Sequence, residues 1–416
     1  HEGAVESVKQ SGTLGLGVRA IVDGAVGFAS GTDLSAEGVD DLAARAVALA
    51  RFGTPDEANG VPAPEEIGAA AADGLEIFDP AVLALPTERR IERALALERA
   101  ALGHDPRLRH TDGAGVACAG GAFAIANSLG VERAWEGTSA SAWVVALADD
   151  DGPAGARQQT GAEQASKRFL ADLPEAESLG RAAAARALAR VGARPVPSAR
   201  VPVVMHPDVA AAWLAEMYEA FTGEAVLKQA SWLTGRLGER IAAPGVTIVD
   251  DGRLRRGIGS SPYDGEGLGT RRNLLVDGGT LAAFAYDRYH ARRAGTRSTA
   301  NGVRGFSTPP GTGFHNLFVA PGTATPQAIL AGVERGFYFD DQGSFGFNPV
   351  TGDYSFQAQG FWIERGEKAY PVDGVTVAGR SLDMLRDVAA VGSDLEFRDS
   401  IASPTLLIGE MTVSGT

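Results

Sequence analysis

The chain has 416 residues, 44% of them apolar and 22% charged, with a formal charge of −14. That length points to two domains, the apolar share to a real core, and the acidity away from nucleic acid as a partner. A single cysteine, Cys118, excludes an intramolecular disulfide and a cysteine-rich metal cluster. No apolar run approaches a membrane span and no signal-peptide pattern opens the chain, so the expected setting is the cytoplasm, away from membranes. The first residue is His1 rather than Met, so the translated start is expected upstream.

In chain order, residues 14–22 and 25–29 read as strands around Asp23-Gly24, a type I′ turn signal. Ser35 gives an imperfect capping signal for a helix over 39–51, with Leu42, Ala46 and Leu49 on one side. Residues 53–70 are rich in Pro, Gly and Ala and read as a loop. A second helix is expected over 87–102, with Thr87 as its N-cap. Strands follow at 116–126 and 139–147, then a polar, mobile loop at 149–161 and an Ala-rich helix at 179–191. This first part is α+β, an N-terminal antiparallel sheet with helices on one face. Pro195-Val196-Pro197 forms a stiff extended joint, dividing the chain into an N-terminal α+β domain, 1–195, and a C-terminal β-rich domain, 196–416.

Beyond the joint, 201–205 reads as a short buried strand, and Pro207 or Asp208 starts a helix carrying Trp213, Leu214, Met217 and Phe221. Short apolar segments at 237–241 and 246–250 precede a hairpin, 273–276 with 281–286, turning at Asp277-Gly278-Gly279. Thr325-Pro326 starts a helix to Val333, and the chain closes with strands ending at 405–413. The most informative stretch is 343–379. Breakers at Asn348-Pro349 lead into a strand at 354–364, and Arg365-Gly366-Glu367 returns the chain along 368–372. Phe356, Ala358, Gly360 and Trp362 share one face and Gln357, Gln359, Phe361 and Ile363 the other, so the strand is expected to be interior and touched on both sides. Gly360 inside it signals a close approach to the backbone, either a tight crossing within the sheet or the wall of a peptide groove.

Chemistry-bearing motifs are sparse. The histidines are His1, His104, His110, His206, His290 and His315, and no two share metal-ligand spacing on a helix. His206 is followed by Pro207-Asp208, not by Glu and a second His. Cys118 sits in an apolar strand, where a buried thiol is inert, and Ser260-Ser261 has no base nearby in sequence. Two polar clusters remain. Asp264 and Glu266, followed by Arg271 and Arg272, set acids and bases among glycines, as either a self-satisfied loop network or a substrate-facing loop. His315-Asn316 before Pro321-Gly322 places two side chains able to bond a peptide backbone, or to cap a turn. The candidate substrate-binding residues are therefore His315, Asn316, Asp264, Glu266, Arg271 and Gly360, with no catalytic or metal-ligating residue assigned.

The segments GVRAIVDGAVGFASGTDLSAEGVDDLAARAVALAR, DGEGLGTRRNLLVDGGTL, HNLFVAPG and FNPVTGDYSFQAQGFWIERGEKAYPVDGVTVAG, in that order, resemble the TldD/PmbA family, also labelled modulators of DNA gyrase. The resemblance runs nearly the whole length, and NPVTGDYS…GFWIE…YPV is its most specific part. It implies a two-part bacterial or archaeal protein built as an α+β domain followed by a β-rich domain. It also implies two kinds of subunit. The TldD kind carries H-E-x-x-x-H on a helix of the second domain and binds a metal for peptide hydrolysis; the TldE/PmbA kind lacks the motif and partners the first. Here that helix reads DVAAAWLAEMYEAF, without His, and Glu216 and Glu219 alone would hold a metal weakly. The resemblance is therefore to the TldE/PmbA side. What it implies is a non-metal subunit of a heterodimeric metalloprotease, catalytically incomplete alone, with the zinc in a TldD-like partner, acting on small or unfolded peptides or in the maturation of peptide products. A homodimeric peptide-binding or scaffold protein and an unrelated hydrolase centred on His315 stay open beside it. The second domain is expected to supply both subunit interface and chamber wall, because its strand edges need cover.

Overall fold

The computed structural model describes residues 3–67, 74–151, 157–344 and 346–415. Strands β1 (Leu16–Val22) and β2 (Ala25–Gly31) pair antiparallel across Asp23-Gly24, both at positive φ (50° and 82°), as a type I′ turn requires. Helix α1 (Ala36–Ala50) starts at Ser35, whose hydroxyl accepts from Gly38 N at 3.1 Å. The helix crosses β2 so closely that a Cβ on Gly27 would lie 2.0 Å from Ala46 O. Such a crossing admits only small residues, so Ala46 and Ala50 are buried with Leu42 while Leu49 is 51% exposed. The expected apolar face was thus one residue off. This hairpin is a separate two-stranded sheet. The loop expected over 53–70 contains a 3-10 turn at Pro64–Glu66, and its last three residues lie outside the described residues.

After α2 (Pro80–Ala84), helix α3 (Thr87–Leu102) begins from Pro86, and Thr87 is its first residue rather than its cap. Strands β3 (Leu108–Ala126), β4 (Glu132–Asp150) and β5 (Arg157–Lys167) form one antiparallel sheet in that order. Helix α4 (Ala176–Ala189) and α3 pack on it around Leu97, Ala101, Val144, Ala146, Ala183 and Ala187. The loop expected at 149–161 is largely strand, and its residues 152–156 lie outside the described residues. Composition misled there: Gln159, Gly161, Glu163 and Ala165 alternate with exposed residues and form the buried face of β5. Gly161 is needed because α4 crosses at that point, and a Cβ would lie 2.1 Å from Ala183 O.

The second half opens with β6 (Ala199–Met205) and α5 (Pro207–Glu216), then α6 (Gly223–Leu227), β7 (Ile248–Asp251), β8 (Arg272–Asp277), β9 (Thr280–Leu281) and α7 (Arg288–Arg293). It continues through β10 (Gly302–Val303), β11 (Gly311–Thr312), β12 (Leu317–Val319), α8 (Pro326–Ala331), β13 (Arg335–Gln342), β14 (Asp353–Glu364) and β15 (Glu367–Arg380). The last elements are α9 (Ser381–Arg386), β16 (Val388–Val391), β17 (Ile401–Ala402) and β18 (Leu406–Ser414). The expected hairpin arm 281–286 is strand only at Thr280–Leu281. The main sheet runs β15-β14-β13-β6-β18-β16, and β15 also pairs with β18, closing it into a barrel. Val203, Met205, Trp213, Phe221, Phe337 and Phe339 belong to its core. Edges expected to need a partner's cover are in part covered by this closure.

Strand β14 is not uniformly interior. Tyr354, Phe356 and Ala358 are buried and alternate with exposed Asp353, Ser355 and Gln357, whereas Gly360 through Ile363 are all buried. Bulges at Ala358/Gly360 and Trp362/Ile363 divide the one-sided half from the two-sided half. Gly360 sits between Phe339 of β13 and Val372 of β15, where a Cβ would lie 1.9 Å from Tyr338 O. The close approach this glycine signals is therefore made by the chain's own β13. As a groove residue Gly360 is corrected: it is a buried crossing inside the barrel wall.

The two halves are pinned together by buried charge. Arg190, 2% exposed, bonds Asp340 Oδ2 at 2.6 Å, Asp341 Oδ2 at 2.8 Å and Thr160 O at 2.8 Å. At Pro195-Val196-Pro197 the chain is stitched rather than free: Arg194 N donates to Pro371 O at 3.2 Å, its guanidinium stacks 3.8 Å over Tyr370, and Val196 is buried.

Candidate functional site

Helix α5 starts at His206, which caps it: Nδ1 accepts from Asp208 N at 3.1 Å. That bond leaves Nδ1 without a proton, so its 3.4 Å separation from Asp208 Oδ2 is not an ion pair of the neutral ring. Burial, the largest influence, holds the imidazole below its usual pKa against the opposing pull of Asp208. Burial alone would raise the Asp208 carboxyl, but His206, Arg398 and Arg186 outweigh it and hold the group low. Arg186 reaches Asp208 at 2.9 Å and Glu163 at 3.1 Å, and Arg398 reaches Glu163 at 2.7 Å. His206, Asp208, Arg398 and Tyr338 border a cleft of about 270 Å³. His206 lacks the following Glu and second His of a zinc motif. It stands at the first position of an H-E-x-x-x-H spacing, with Pro207 in the place of Glu and Ala211 in the place of the second His.

A metal does not fit this end of α5. His206 has Nδ1 engaged by the helix start, Asp208 is tied to two arginines, and among the described residues no three His, Cys, Asp or Glu side chains converge as a ligand set.

The other candidates gather elsewhere, in one buried network between β7 and the loops around β10. Asp264 accepts from Glu266 N, Leu268 N and Gly302 N, each at 2.9 Å. Glu266 accepts from Arg288 N at 2.7 Å and lies 3.8 Å from Arg19 of β1. Burial first, and then Asp264, raise the Glu266 carboxyl to about 7. His315 N donates to Asp250 Oδ1 at 2.7 Å, and its Nε2 donates to Ala300 O at 2.9 Å, which fixes the protonated nitrogen. Asn316 is fully buried: its amide donates to Asp251 O and Ser260 Oγ and accepts from Gly259 N. The structure thus brings His315, Asn316, Asp264 and Glu266 together, with polar atoms already engaged by the chain itself. Arg271 sits on the rim, bonded to Ser298 O and Thr299 O, and Gly360 lies apart in the barrel wall.

Of this network Asp264 and His315 reach a cleft of about 530 Å³ between one face of the β3–β4 hairpin and the second half, bordered also by Phe123, Trp135, Tyr263 and Arg304. Phe123 and Trp135 were not singled out from the sequence, although aromatic residues at paired strand positions beside glycines are a readable signal once the hairpin register is known.

Three family models match consecutive parts of the chain: PmbA/TldA metallopeptidase domain 1 over residues 1–50, the central domain over 80–191 and the C-terminal domain over 198–415. Metalloprotease PmbA of Escherichia coli O157:H7 is 30% identical over 413 residues, covering 99% of this chain and 88% of that one. A PmbA homologue of Haemophilus influenzae, also described as a metalloprotease, is 29% identical over 414 residues, covering 99% and 88%. The chain belongs to the PmbA/TldD family of metallopeptidases. Among solved structures, the fold matches a proposed modulator of a DNA gyrase from Thermotoga maritima MSB8 with a TM-score of 0.90 at 24% identity, covering 99% of this chain and 92% of that one. It also matches TldE from Thermococcus kodakarensis with a TM-score of 0.85 at 24% identity, covering 95% and 89%. No helix among the described residues is long and apolar enough to cross a membrane.

Proposed function

We propose that this chain is the TldE/PmbA-like subunit of a two-subunit metallopeptidase, supplying structure and substrate contacts while a TldD-like partner carries the metal. The observation that carries this reading is the start of α5, where His206 is followed by Pro207 and, five residues on, by Ala211. One imidazole, with Nδ1 spent on the helix cap and no second His at position 211, falls short of a catalytic zinc site, which uses three protein ligands and an open position. The substrates in this reading are small or unfolded peptides, including peptide products under maturation, and the chain alone is catalytically incomplete. The fold likeness to TldE supports the assignment to that kind of subunit.

Co-expression with a TldD-type protein bearing H-E-x-x-x-H, followed by co-purification, tests the pairing. Peptidase assays on each subunit alone and on the pair test the division of labour. The reading expects a stable complex and cleavage only by the pair. A chain that purifies solely with itself and has no effect on the partner's activity would instead support a homodimeric binding or scaffold protein.

A further inference from the structure

The cleft against the β3–β4 hairpin has a chemistry of its own. On the hairpin face that borders it, the register sets Ala119 opposite Ser139, Gly121 opposite Gly137 and Phe123 opposite Trp135. The glycine pair adds no side chain to this part of the floor, although the Arg168 guanidinium lies over Gly137 and the Phe123 ring beside Gly121. The aromatic pair closes one end of the floor, with rings stacked 5.6 Å apart at 20°. Tyr263 continues this wall from the other side, 6.1 Å from Trp135. Phe123 is 54% exposed, an unusual position for a large ring on a structured strand.

Two arginines border the same space, and they differ. Arg168 is spent, donating to the carbonyls of Gly257, Thr138, Ile258 and Ser260. Arg304 packs its stem against Gly265, and among the described residues no hydrogen-bond or ion-pair partner engages its guanidinium. The nearest acids are already satisfied: Asp264 by three backbone N–H groups, Glu266 by Arg288 N with Arg19 alongside. Arg304 is therefore a half-buried cation on an aromatic-walled cleft. The cleft's 530 Å³ lies within the ~300–1,000 Å³ of ordinary ligand sites.

We propose that this cleft binds a carboxylate carried next to an aromatic or large apolar side chain, as at the carboxy-terminal residue of a peptide, with the carboxylate on Arg304 and the side chain against Trp135 and Phe123. An arginine fork matches a carboxylate in two parallel hydrogen bonds. The same chemistry could come from a free N-acyl amino acid, and the choice of ligands separates the two. The site goes beyond the subunit reading and does not depend on it, because its test uses this chain alone and measures binding rather than cleavage.

The experiment is calorimetric titration of the purified chain with N-acetyl-Ala-Ala-Phe as the free acid, the same peptide as its carboxamide, N-acetyl-Ala-Ala-Ala as the free acid, and N-acetyl-Phe. The free acid ending in Phe should bind at least tenfold tighter than the carboxamide and than the peptide ending in Ala. Arg304→Gln should abolish the preference for acid over amide while leaving the melting temperature nearly unchanged, since among the described residues no hydrogen bond or ion pair holds Arg304 and the pull of Glu266 on it is opposed by Arg19. Trp135→Leu should remove the preference for Phe over Ala. Tighter binding of the tripeptide than of N-acetyl-Phe assigns the site to peptide ends, and equal binding assigns it to free acids. Equal affinity for acid and amide, no binding at millimolar ligand, or tighter binding of a mononucleotide would each overturn the proposal.

Discussion

Replacing Glu266 with Gln should make the protein less sensitive to rising pH. In the unfolded chain this carboxyl titrates near its ordinary 4.5, whereas in the fold burial and the neighbouring Asp264 lift it to about 7. A raised pKa means the folded state holds the proton more tightly. Its contribution to stability is therefore complete below pH 4.5 and is lost as pH climbs through 7. At ~1.4 kcal/mol per pH unit, that span is about 3 kcal/mol between pH 4.5 and pH 8. Gln keeps the shape and the acceptor oxygen for Arg288 N, 2.7 Å away, but never ionises; the attraction it forgoes is to Arg19, 3.8 Å away. Urea unfolding of both proteins at pH 5 and pH 8 checks the prediction. The parent should lose up to about 3 kcal/mol more than Glu266→Gln between those values, and the variant should be the more stable at pH 8. Parallel losses in the two proteins would show that Glu266 is not held protonated by its surroundings.

Arg190→Met should destabilise the chain by about 3–5 kcal/mol, because it leaves Asp340 buried without its partner. Thermal unfolding and faster proteolysis between the halves would show it, and unchanged melting would remove Arg190 as the pin. Gly360→Ala should cost about 1–3 kcal/mol, since the added methyl meets Tyr338 O in the neighbouring strand. A variant that melts like the parent would show that β13 and β14 can part at no cost. Metal analysis of the chain purified alone should find well under one zinc per molecule, and a tightly held stoichiometric ion would defeat the subunit reading.

What the sequence determined by itself is local or carried by a long ordered pattern. Asp23-Gly24 dictated its turn, because few residue pairs tolerate two positive φ values in succession, and residues 87–102 announced their helix by its start signal, although Thr87 is the first helical residue and not the cap. The run through Asn348-Pro349 to Glu364 marked both the strand and the family. Only the tertiary structure decided what each residue faces. Leu49 lost its place to Ala50 because Gly27 lets a helix approach a strand 23 residues away, and β5 was hidden because its buried face is polar until Arg186 and Arg398 meet Glu163. Gly360 read equally well as groove or crossing until β13 arrived beside it. Asp264 and Glu266 were visible as acids, but their burial, and so their protonation, depends on β1 and α7 closing over them. Arg304 is one arginine among many until the fold leaves it unpaired beside Trp135. Periodicity and turn chemistry act over a few residues and survive in the sequence. Burial, pairing and the pKa values they set are properties of neighbours brought together from far along the chain, and they exist only once the barrel has closed and the hairpin has been laid against it.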